Sequence, residues 1–217
     1  MSLGKDRPRR LEILERRSVH DGFFGLEVLT LRHELFAGGW SEPLRREYFR
    51  QRRAVTILPY DPRRDLVVLV EQFRAGAIDG PESPWLLEAA AGLSEEGESP
   101  EEVARRELAE ECGLEARRLE RAVSWWSSPG GASEHVTAFI GEVDAPACGG
   151  VHGVAGEHED IRTHVLPATE AFALLHQGRI TGASGVVTLL YLESQRPRLR
   201  EQWGSAGEGL ASAAGAG

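Results

Sequence analysis

Three glutamates close together, Glu107, Glu110 and Glu111, are the residues in this sequence most able to do chemistry. In a helix, successive side chains are about 100° apart, so these three would lie within an arc of roughly 100° on one face. Like charges at this spacing destabilise a helix, and the negative end of the helix dipole adds to the cost. The cluster therefore predicts that a cation neutralises the repulsion between the three glutamates.

The helix that would carry these glutamates has clear start and stop signals. Ser99 is a suitable N-cap, Pro100 suits the first helical position, and Glu102 completes a capping box. Gly113 is suited to the left-handed residue that ends a helix. The signals predict about four turns, with the three glutamates in the last turns beside an apolar stripe and therefore only partly solvated.

Two interpretations of the acidic segment remain open on spacing alone. In the first, it is a solvated charged face on which Glu101 pairs with Arg105 and Glu102 with Arg106. That interpretation accounts only for the first half of the helix, because no lysine or arginine follows the glutamates within it. In the second, the carboxylates bind Mg²⁺ or Mn²⁺, ions that prefer oxygen ligands and often also hold substrate phosphates.

The elements around this helix indicate an α+β protein. Residues 1–50 are predicted to form a small N-terminal antiparallel β unit, and residues 51–203 the main domain. In the main domain, strands and helices mingle without a regular βαβ rhythm, which favours a mixed β-sheet between helices. Residues 204–217 are rich in Gly and Ala and are expected to be disordered.

Composition narrows the functional classes. A net charge of −9 with a single lysine argues against a nucleic-acid partner, because binding to phosphate backbones needs clustered basic residues. Two cysteines form no disulfide framework and favour a reducing, cytoplasmic location. No apolar stretch has the length of a membrane span, and the first residues lack the apolar core of a signal peptide. We therefore expect a cytoplasmic protein with no membrane partner.

The acidic segment also resembles the signature of a known family. Gly92 is followed by five residues and Glu98, then by seven residues and RELAEECGL from Arg106 to Leu114, which matches every fixed position of the Nudix box. The resemblance implies an α/β/α sandwich fold with a mixed sheet. It also implies hydrolysis of a nucleoside diphosphate linked to another moiety, with Mg²⁺, Mn²⁺ or another divalent cation as cofactor.

The same resemblance assigns roles to the acidic residues. Glu107 and Glu111 are expected to bind metal, the backbone carbonyl of Ala91 to complete the site, and Glu110 to lie beside them as a catalytic candidate. A general base must reach the attacking water. The resemblance points to Glu157 as that base, in the loop GVAGEHED, with Glu159 as a further metal ligand.

Four further stretches resemble the bacterial ADP-ribose pyrophosphatase branch of the family, over about residues 22–192: VEQFRAG, WLLEAAAG, SSPGGASE and GVAGEHEDIRTHV. Pro129, fifteen residues after Leu114, stands where that branch carries its marker proline. The implied substrate is ADP-ribose. The implied substrate-binding residues are Phe23, Phe24, Arg46, Glu47, Arg74, Ser128, Pro129, Gly130 and Glu134.

The branch also implies a homodimer that exchanges its N-terminal strands, so that Arg46 and Glu47 help to build the partner's substrate site. Two alternatives stay open. A related diphosphatase for ADP-glucose or GDP-mannose would share the metal site and hold the base and sugar differently. A non-catalytic sensor with this fold would bind nucleotide ligands, but the intact acidic box and the lack of a DNA-binding motif disfavour it.

Overall fold

The computed structural model describes residues 10–154, 156 and 158–204, which divide into two compact units. The first unit contains residues 10–52 together with the segment 126–135, and the second contains the remaining described residues. The predicted tail lies outside the described residues, apart from Gly204.

The first unit is built on a three-stranded antiparallel sheet. Its strands are β1 (Leu11–Asp21), β2 (Gly25–His33) and β3 (Leu44–Arg50), in the order β1-β2-β3. Gly22 lies between β1 and β2, and Gly38 and Gly39 lie between β2 and β3. The buried residues of these three strands are all on β2, at Gly25, Glu27 and Val28, whereas β1 is exposed along its whole length. The predicted N-terminal antiparallel sheet is confirmed.

The segment 126–135 belongs to the first unit because it hydrogen-bonds to the end of β3. The N–H of Phe49 donates to the carbonyl of Gly131 at 2.8 Å, and the N–H of Ser133 donates to the carbonyl of Phe49 at 2.9 Å. The Ser133 hydroxyl accepts from the N–H of Gln51 at 2.9 Å. A segment distant in sequence therefore completes the N-terminal unit.

The second unit contains a mixed eight-stranded sheet. The main path runs β10-β11-β5-β4-β9-β8, with β6 paired to β5 and β7 paired to β4. Strand β4 pairs with β9 in parallel and with β5 in antiparallel orientation. The strands are β4 (Ala54–Asp61), β5 (Leu66–Phe73), β6 (Trp85–Glu88), β7 (Ala90–Leu93), β8 (Arg118–Trp126), β9 (His135–Glu142), β10 (Val151–His152) and β11 (Ile161–Pro167).

Helices cover both faces of this sheet. They are α1 (Pro100–Cys112), α2 (Ala168–His176) and α3 (Ala183–Gly204). On β5, Val68 and Val70 belong to the core cluster formed with α1, whereas Val67 and Leu69 belong to the cluster formed with α2 and α3. Alternate side chains of one strand thus bury opposite faces, and the expected α/β/α sandwich is confirmed.

The short strands β6, β7 and β10 were not predicted from the sequence. The segment WLLEAAAG is rich in alanine and offers little of the β-branched pattern that marks a strand, so its extended form comes from pairing with β4 and β5. Helix α3 contains Pro197. In the described part of the chain, no helix has both the length and the apolar character that crossing a membrane requires.

Candidate active site

Helix α1 begins and ends where the sequence predicts. The Ser99 hydroxyl accepts from the N–H of Glu102 at 3.3 Å, and the Glu102 carboxylate accepts from the N–H of Ser99 at 2.8 Å. Gly113 ends the helix with φ of 64°, a left-handed conformation that a residue without a side chain adopts at little cost. These fixed ends hold the acidic residues of the last turns in a defined orientation.

Two of the three glutamates are fully buried. Glu107 is 7% exposed and Glu111 2% exposed, alongside Leu108 and Cys112 on the inner face of α1. The expectation that all three are partly solvated is therefore wrong for these two. Only Glu110 lies towards the helix edge, with 36% of its side chain exposed. Burial makes the charged form of such a carboxyl costly, so Glu107 and Glu111 need a cation or hydrogen-bond donors to stay ionised.

Glu107 occupies a recess that a glycine creates. A Cβ atom added at Gly92 would overlap the Glu107 carboxylate. Arg106 donates from Nη1 to Glu107 Oε1 at 2.6 Å and to Glu110 Oε2 at 3.2 Å, while its Nε donates to Glu98 Oε1 at 3.0 Å. Arg106 thus provides part of the positive charge that the acidic cluster was predicted to need.

The pKa of Glu107 lies above its ordinary value. Burial is the main cause, and the charges of Glu110 and Glu159 add to it, whereas Arg106 acts in the opposite direction. The structure therefore brings the Glu159 carboxylate within electrostatic range of α1. Glu159 Oε2 accepts from the N–H of Val154 at 3.2 Å.

Glu111 is the most perturbed acid of the cluster. Burial raises its pKa to about 8, and the charges of Glu107 and Glu159 contribute, while Arg74 lowers it. One donor reaches it directly: the N–H of Ala91 donates to Oε2 at 3.1 Å. Of the predicted metal-binding residues, Ala91 thus contacts Glu111 through its N–H, and the charges of Glu107 and Glu159 act on the Glu111 carboxyl.

The donor set fits a hard divalent cation. Carboxylate oxygens beside a backbone segment are the ligands that Mg²⁺ and Mn²⁺ prefer, and a cation there would relieve the repulsion that raises the pKa of Glu107 and Glu111. In the described residues, no three His, Cys, Asp or Glu side chains are already arranged to hold a metal ion. The oxygens face protein donors instead, from Arg106 and Ala91.

Arg74 links the acidic cluster to the neighbouring strand. Its Nε donates to Glu88 Oε2 at 2.6 Å, and Glu88 is 7% exposed. Arg74 is also close enough to lower the pKa of Glu111. Sequence reasoning singled out Arg74 and missed Glu88, although Glu88 lies within the stretch WLLEAAAG that carries the family likeness. No local signal in the sequence marks Glu88, because its burial and its pairing with Arg74 both come from the fold.

The predicted substrate-binding residues other than Arg74 all lie in the first unit. Four of them, Arg46, Glu47, Pro129 and Gly130, line a cavity of about 510 Å³. Its other lining residues are Leu29, Tyr48, Trp126, Ala132 and Ser133. An open cavity with two aromatic side chains, Tyr48 and Trp126, and one charged residue of each sign suits a polar, partly aromatic ligand.

The remaining predicted binding residues of this unit lie outside the cavity lining. Phe23 is 77% exposed and packs edge-to-face against Phe24, with ring centroids 4.8 Å apart. The carbonyl of Ser128 accepts from the N–H of Gly131 at 2.9 Å within a turn. The Glu134 carboxylate accepts from the Ser127 hydroxyl. Glu157, the candidate base, lies outside the described residues.

Comparisons with known proteins identify the family of this chain. The family model described as "NUDIX domain" matches residues 50–182, a span that contains α1, its acids and Arg74. The chain belongs to the Nudix family. The matched span begins at the last residue of β3, so most of the N-terminal sheet precedes it.

Individual relatives of this Nudix protein carry two different names. It is 46% identical over 193 residues to "ADP-ribose pyrophosphatase" from Escherichia coli (strain K12), covering 89% of this chain and 92% of the relative. It is 37% identical over 191 residues to "GDP-mannose pyrophosphatase" from Citrobacter koseri, covering 86% and 96%. A solved structure entitled "Crystal structure of ADP compounds hydrolase" matches with a TM-score of 0.67 at 25% identity, covering 92% of this chain and all of that one.

Proposed function

We propose that this Nudix protein is an ADP-ribose pyrophosphatase that hydrolyses ADP-ribose to AMP and ribose 5-phosphate. The similarity that carries this proposal is the 46% identity to the Escherichia coli relative across nearly all of both chains. The buried acidic face of α1 supports it, because a protein that only needed a stable helix gains nothing from burying Glu107 and Glu111 without full compensation.

The metal site is assigned to the acids of α1 and their neighbours. Glu107, Glu111 and Glu159, with the carbonyl of Ala91, would hold Mg²⁺ or Mn²⁺, and Glu110 lies at the edge of this group. Bound divalent ions neutralise diphosphate oxygens and activate water for attack on phosphorus. Arg74, whose Nε donates to Glu88, would orient the diphosphate by its charge and by its planar set of donors.

Glu157 is our candidate for the general base. Its position in the family pattern supports this role, since the reaction needs a group that removes a proton from the attacking water. Glu157→Gln is expected to slow turnover by about 100-fold or more, while Mn²⁺ affinity measured by paramagnetic resonance stays within about twofold of wild type. Unchanged turnover would remove Glu157 from the mechanism.

The adenosine and ribose parts of the substrate are assigned to the first unit. The cavity lined by Arg46, Glu47, Pro129 and Gly130 supports this assignment, with Phe23 and Phe24 on the adenine side and Ser128 and Glu134 close in sequence. We further propose a homodimer with exchanged N-terminal strands, in which Arg46 and Glu47, together with the cavity that they line, serve the partner's site. Light scattering that gives the monomer mass of 23.8 kDa at assay concentrations would contradict the dimer.

Diphosphatase activity on GDP-mannose is a second candidate, favoured by the 37% identity to the Citrobacter koseri relative. The deciding experiment compares kcat/KM for ADP-ribose, ADP-glucose and GDP-mannose with Mg²⁺ and identifies products by chromatography. A preference for ADP-ribose with release of AMP supports the first assignment. A preference for GDP-mannose reassigns the substrate, and no turnover on any of the three overturns the enzymatic proposal.

A further inference from the structure

The segment that follows β10 is attached to the end of α1. The last four carbonyl groups of a helix have no partner within the helix. One of these, the carbonyl of Glu110, accepts from the N–H of Gly153 at 3.2 Å. The His152 ring packs on the residue that ends the helix, since a Cβ atom added at Gly113 would lie 2.9 Å from His152 Cε1. The chain after β10 is therefore fixed to the helix that carries the metal-site acids.

The residue after Gly153 contacts Glu159. The N–H of Val154 donates to Glu159 Oε2 at 3.2 Å, and the N–H of Glu159 donates to the carbonyl of Val154 at 3.5 Å. Two successive N–H groups, those of Gly153 and Val154, thus join the last turn of α1 to the Glu159 carboxylate. The charge of this carboxylate also contributes to the raised pKa of Glu107 and of Glu111, so it acts on the acids of that helix.

Gly153 has a backbone conformation that suits glycine and a neighbour that leaves no room for a side chain. Its φ is 113°, a value that residues with a side chain rarely adopt. A Cβ atom at this position would lie 2.8 Å from Glu159 Cβ and 2.9 Å from the Glu159 carbonyl oxygen, closer than such atoms approach in proteins. A side chain here would therefore displace Glu159.

We propose that Gly153 is a positioning residue of the metal site, which holds the Glu159 carboxylate beside the acids of α1. This inference rests on the metal site assigned under the proposed function. Gly153 acts through its backbone and through Glu159, and has no direct contact with the metal ion. Groups that orient a metal ligand typically change metal affinity by about 10- to 100-fold when they are altered.

Gly153→Ala should move Glu159 away from α1, because the new Cβ atom overlaps Glu159. The dissociation constant for Mn²⁺, measured by paramagnetic resonance without nucleotide, should rise by about 10- to 100-fold. Mn²⁺ affinity is the informative measurement, since a substitution that only lowered the stability of the fold would leave the folded protein with its normal affinity.

Gly178 offers a matched control. Its φ is also positive, at 73°, but no heavy atom of the described chain lies within 4 Å of an added Cβ. Gly178→Ala therefore imposes backbone strain without a clash. It should lower the Tm and leave Mn²⁺ affinity within about twofold of wild type.

A double variant tests whether Gly153 acts through Glu159. In the Glu159→Gln protein, Gly153→Ala should change Mn²⁺ affinity by less than about twofold, because the carboxylate that it would displace is already absent.

Hydrogen exchange in the wild-type protein provides a test that does not depend on the folding of any variant. Mg²⁺ should slow exchange of the Gly153 and Val154 N–H groups by about 10-fold or more, because a metal bound by Glu159 and the acids of α1 stabilises the link between them. Exchange of the Gly178 N–H, which donates to the carbonyl of Leu175 at 2.9 Å, should stay unchanged.

Four results would overturn the proposal. Wild-type Mn²⁺ affinity in Gly153→Ala would show that Glu159 does not depend on Gly153. Equal losses of affinity in both alanine variants would show an effect of backbone strain alone. A further loss in the double variant would show that Gly153 acts independently of Glu159, and exchange unaffected by Mg²⁺ would show that the metal does not engage this link.

Turnover of ADP-ribose by the wild-type protein, measured in parallel, distinguishes these results from a failure of the proposed function. Weaker Mn²⁺ binding by Gly153→Ala, in a protein whose wild type does not hydrolyse ADP-ribose, would support this inference and contradict the proposed function. Normal turnover by the wild type with unchanged Mn²⁺ binding by Gly153→Ala would do the reverse.

Discussion

Two buried acids of the second unit, Asp61 and Glu111, are each 2% exposed, but their pKa values are shifted in opposite directions. Burial raises the pKa of Asp61. Hydrogen bonds from the N–H and guanidinium of Arg64 and from the N–H of Ala145 outweigh this effect, so the pKa of Asp61 lies below its usual value. Burial also raises the pKa of Glu111, and with a single backbone donor from Ala91 it remains raised, to about 8.

The difference lies in how many donors the fold provides for each carboxylate. Asp61 Oδ1 accepts from the N–H groups of Arg63 and Arg64, each at 3.0 Å, and Oδ2 accepts from Arg64 Nε at 2.8 Å and from the N–H of Ala145 at 3.2 Å. The protein itself thus completes the Asp61 site. Glu111 is left incomplete, which is what a site that binds a cation requires.

The largest effect is expected from Glu111→Gln. The substitution keeps the volume and removes the charge that we propose binds metal, so kcat/KM at saturating Mg²⁺ should fall by more than about 100-fold. Stability of the metal-free protein at pH 8 should stay equal or increase, because the charge removed is one that the protein does not compensate. Steady-state kinetics and urea unfolding in EDTA measure the two effects.

Normal turnover by Glu111→Gln would mean that the acid with the most unfavourable environment has no part in the reaction. Loss of both activity and stability would place Glu111 with Asp61 as a structural acid. Either outcome would contradict the assignment of different roles to Glu111 and Asp61.

Asp61→Asn should have the complementary effect. The new NH₂ group cannot accept, so the surrounding donors lose partners, and the free energy of unfolding should fall by about 1–3 kcal/mol. The kcat/KM measured well below the Tm should stay within about twofold of wild type. A large loss of activity in a folded Asp61→Asn protein would show that this end of the sheet also contributes to the site.

The smallest expected effect is a difference in pH dependence. In metal-free protein the pKa of Glu111 is raised from 4.5 to about 8, so the folded state binds the extra proton and the contribution of Glu111 to stability is lost as pH rises through about 8. Asp61 acts in the opposite direction: its pKa is lowered from 3.8, so its contribution is lost as pH falls below that value.

Urea unfolding in EDTA at several pH values tests this prediction with the same two variants. Glu111→Gln should flatten the decline in stability between about pH 5 and 8, and Asp61→Asn should flatten the decline below about pH 4. If Glu111→Gln leaves the slope above pH 5 unchanged, the raised pKa does not belong to Glu111.

The sequence predicted helix α1 well because its ends depend on local chemistry. Ser99, Glu102 and Gly113 satisfy backbone groups within one turn of themselves, and such signals are visible without knowledge of the fold. Strands β6 and β7 were missed because their extended form depends on pairing partners far along the chain. The place of segment 126–135 in the first unit was missed for the same reason.

In the site, spacing predicted that the three glutamates share one face but not how deeply each is buried. Burial of Glu107 depends on the absence of a side chain at Gly92, and that of Glu111 on the approach of β7. Glu88 was missed because an isolated acid in a strand has no local signature. Its significance comes from the cation that the fold places beside it, Arg74.

The anchoring of segment 126–135 on β3 also bears on how the chain is made. The backbone partners of Phe49, namely Gly131 and Ser133, follow it by roughly 80 residues, which takes a ribosome about 4 to 16 s at 5–20 residues per second. During that interval the end of β3 presents unpaired N–H and C=O groups, the feature by which exposed strands join to one another. The N-terminal unit is therefore synthesised first but completed only after α1 and most of the second unit's sheet have been translated.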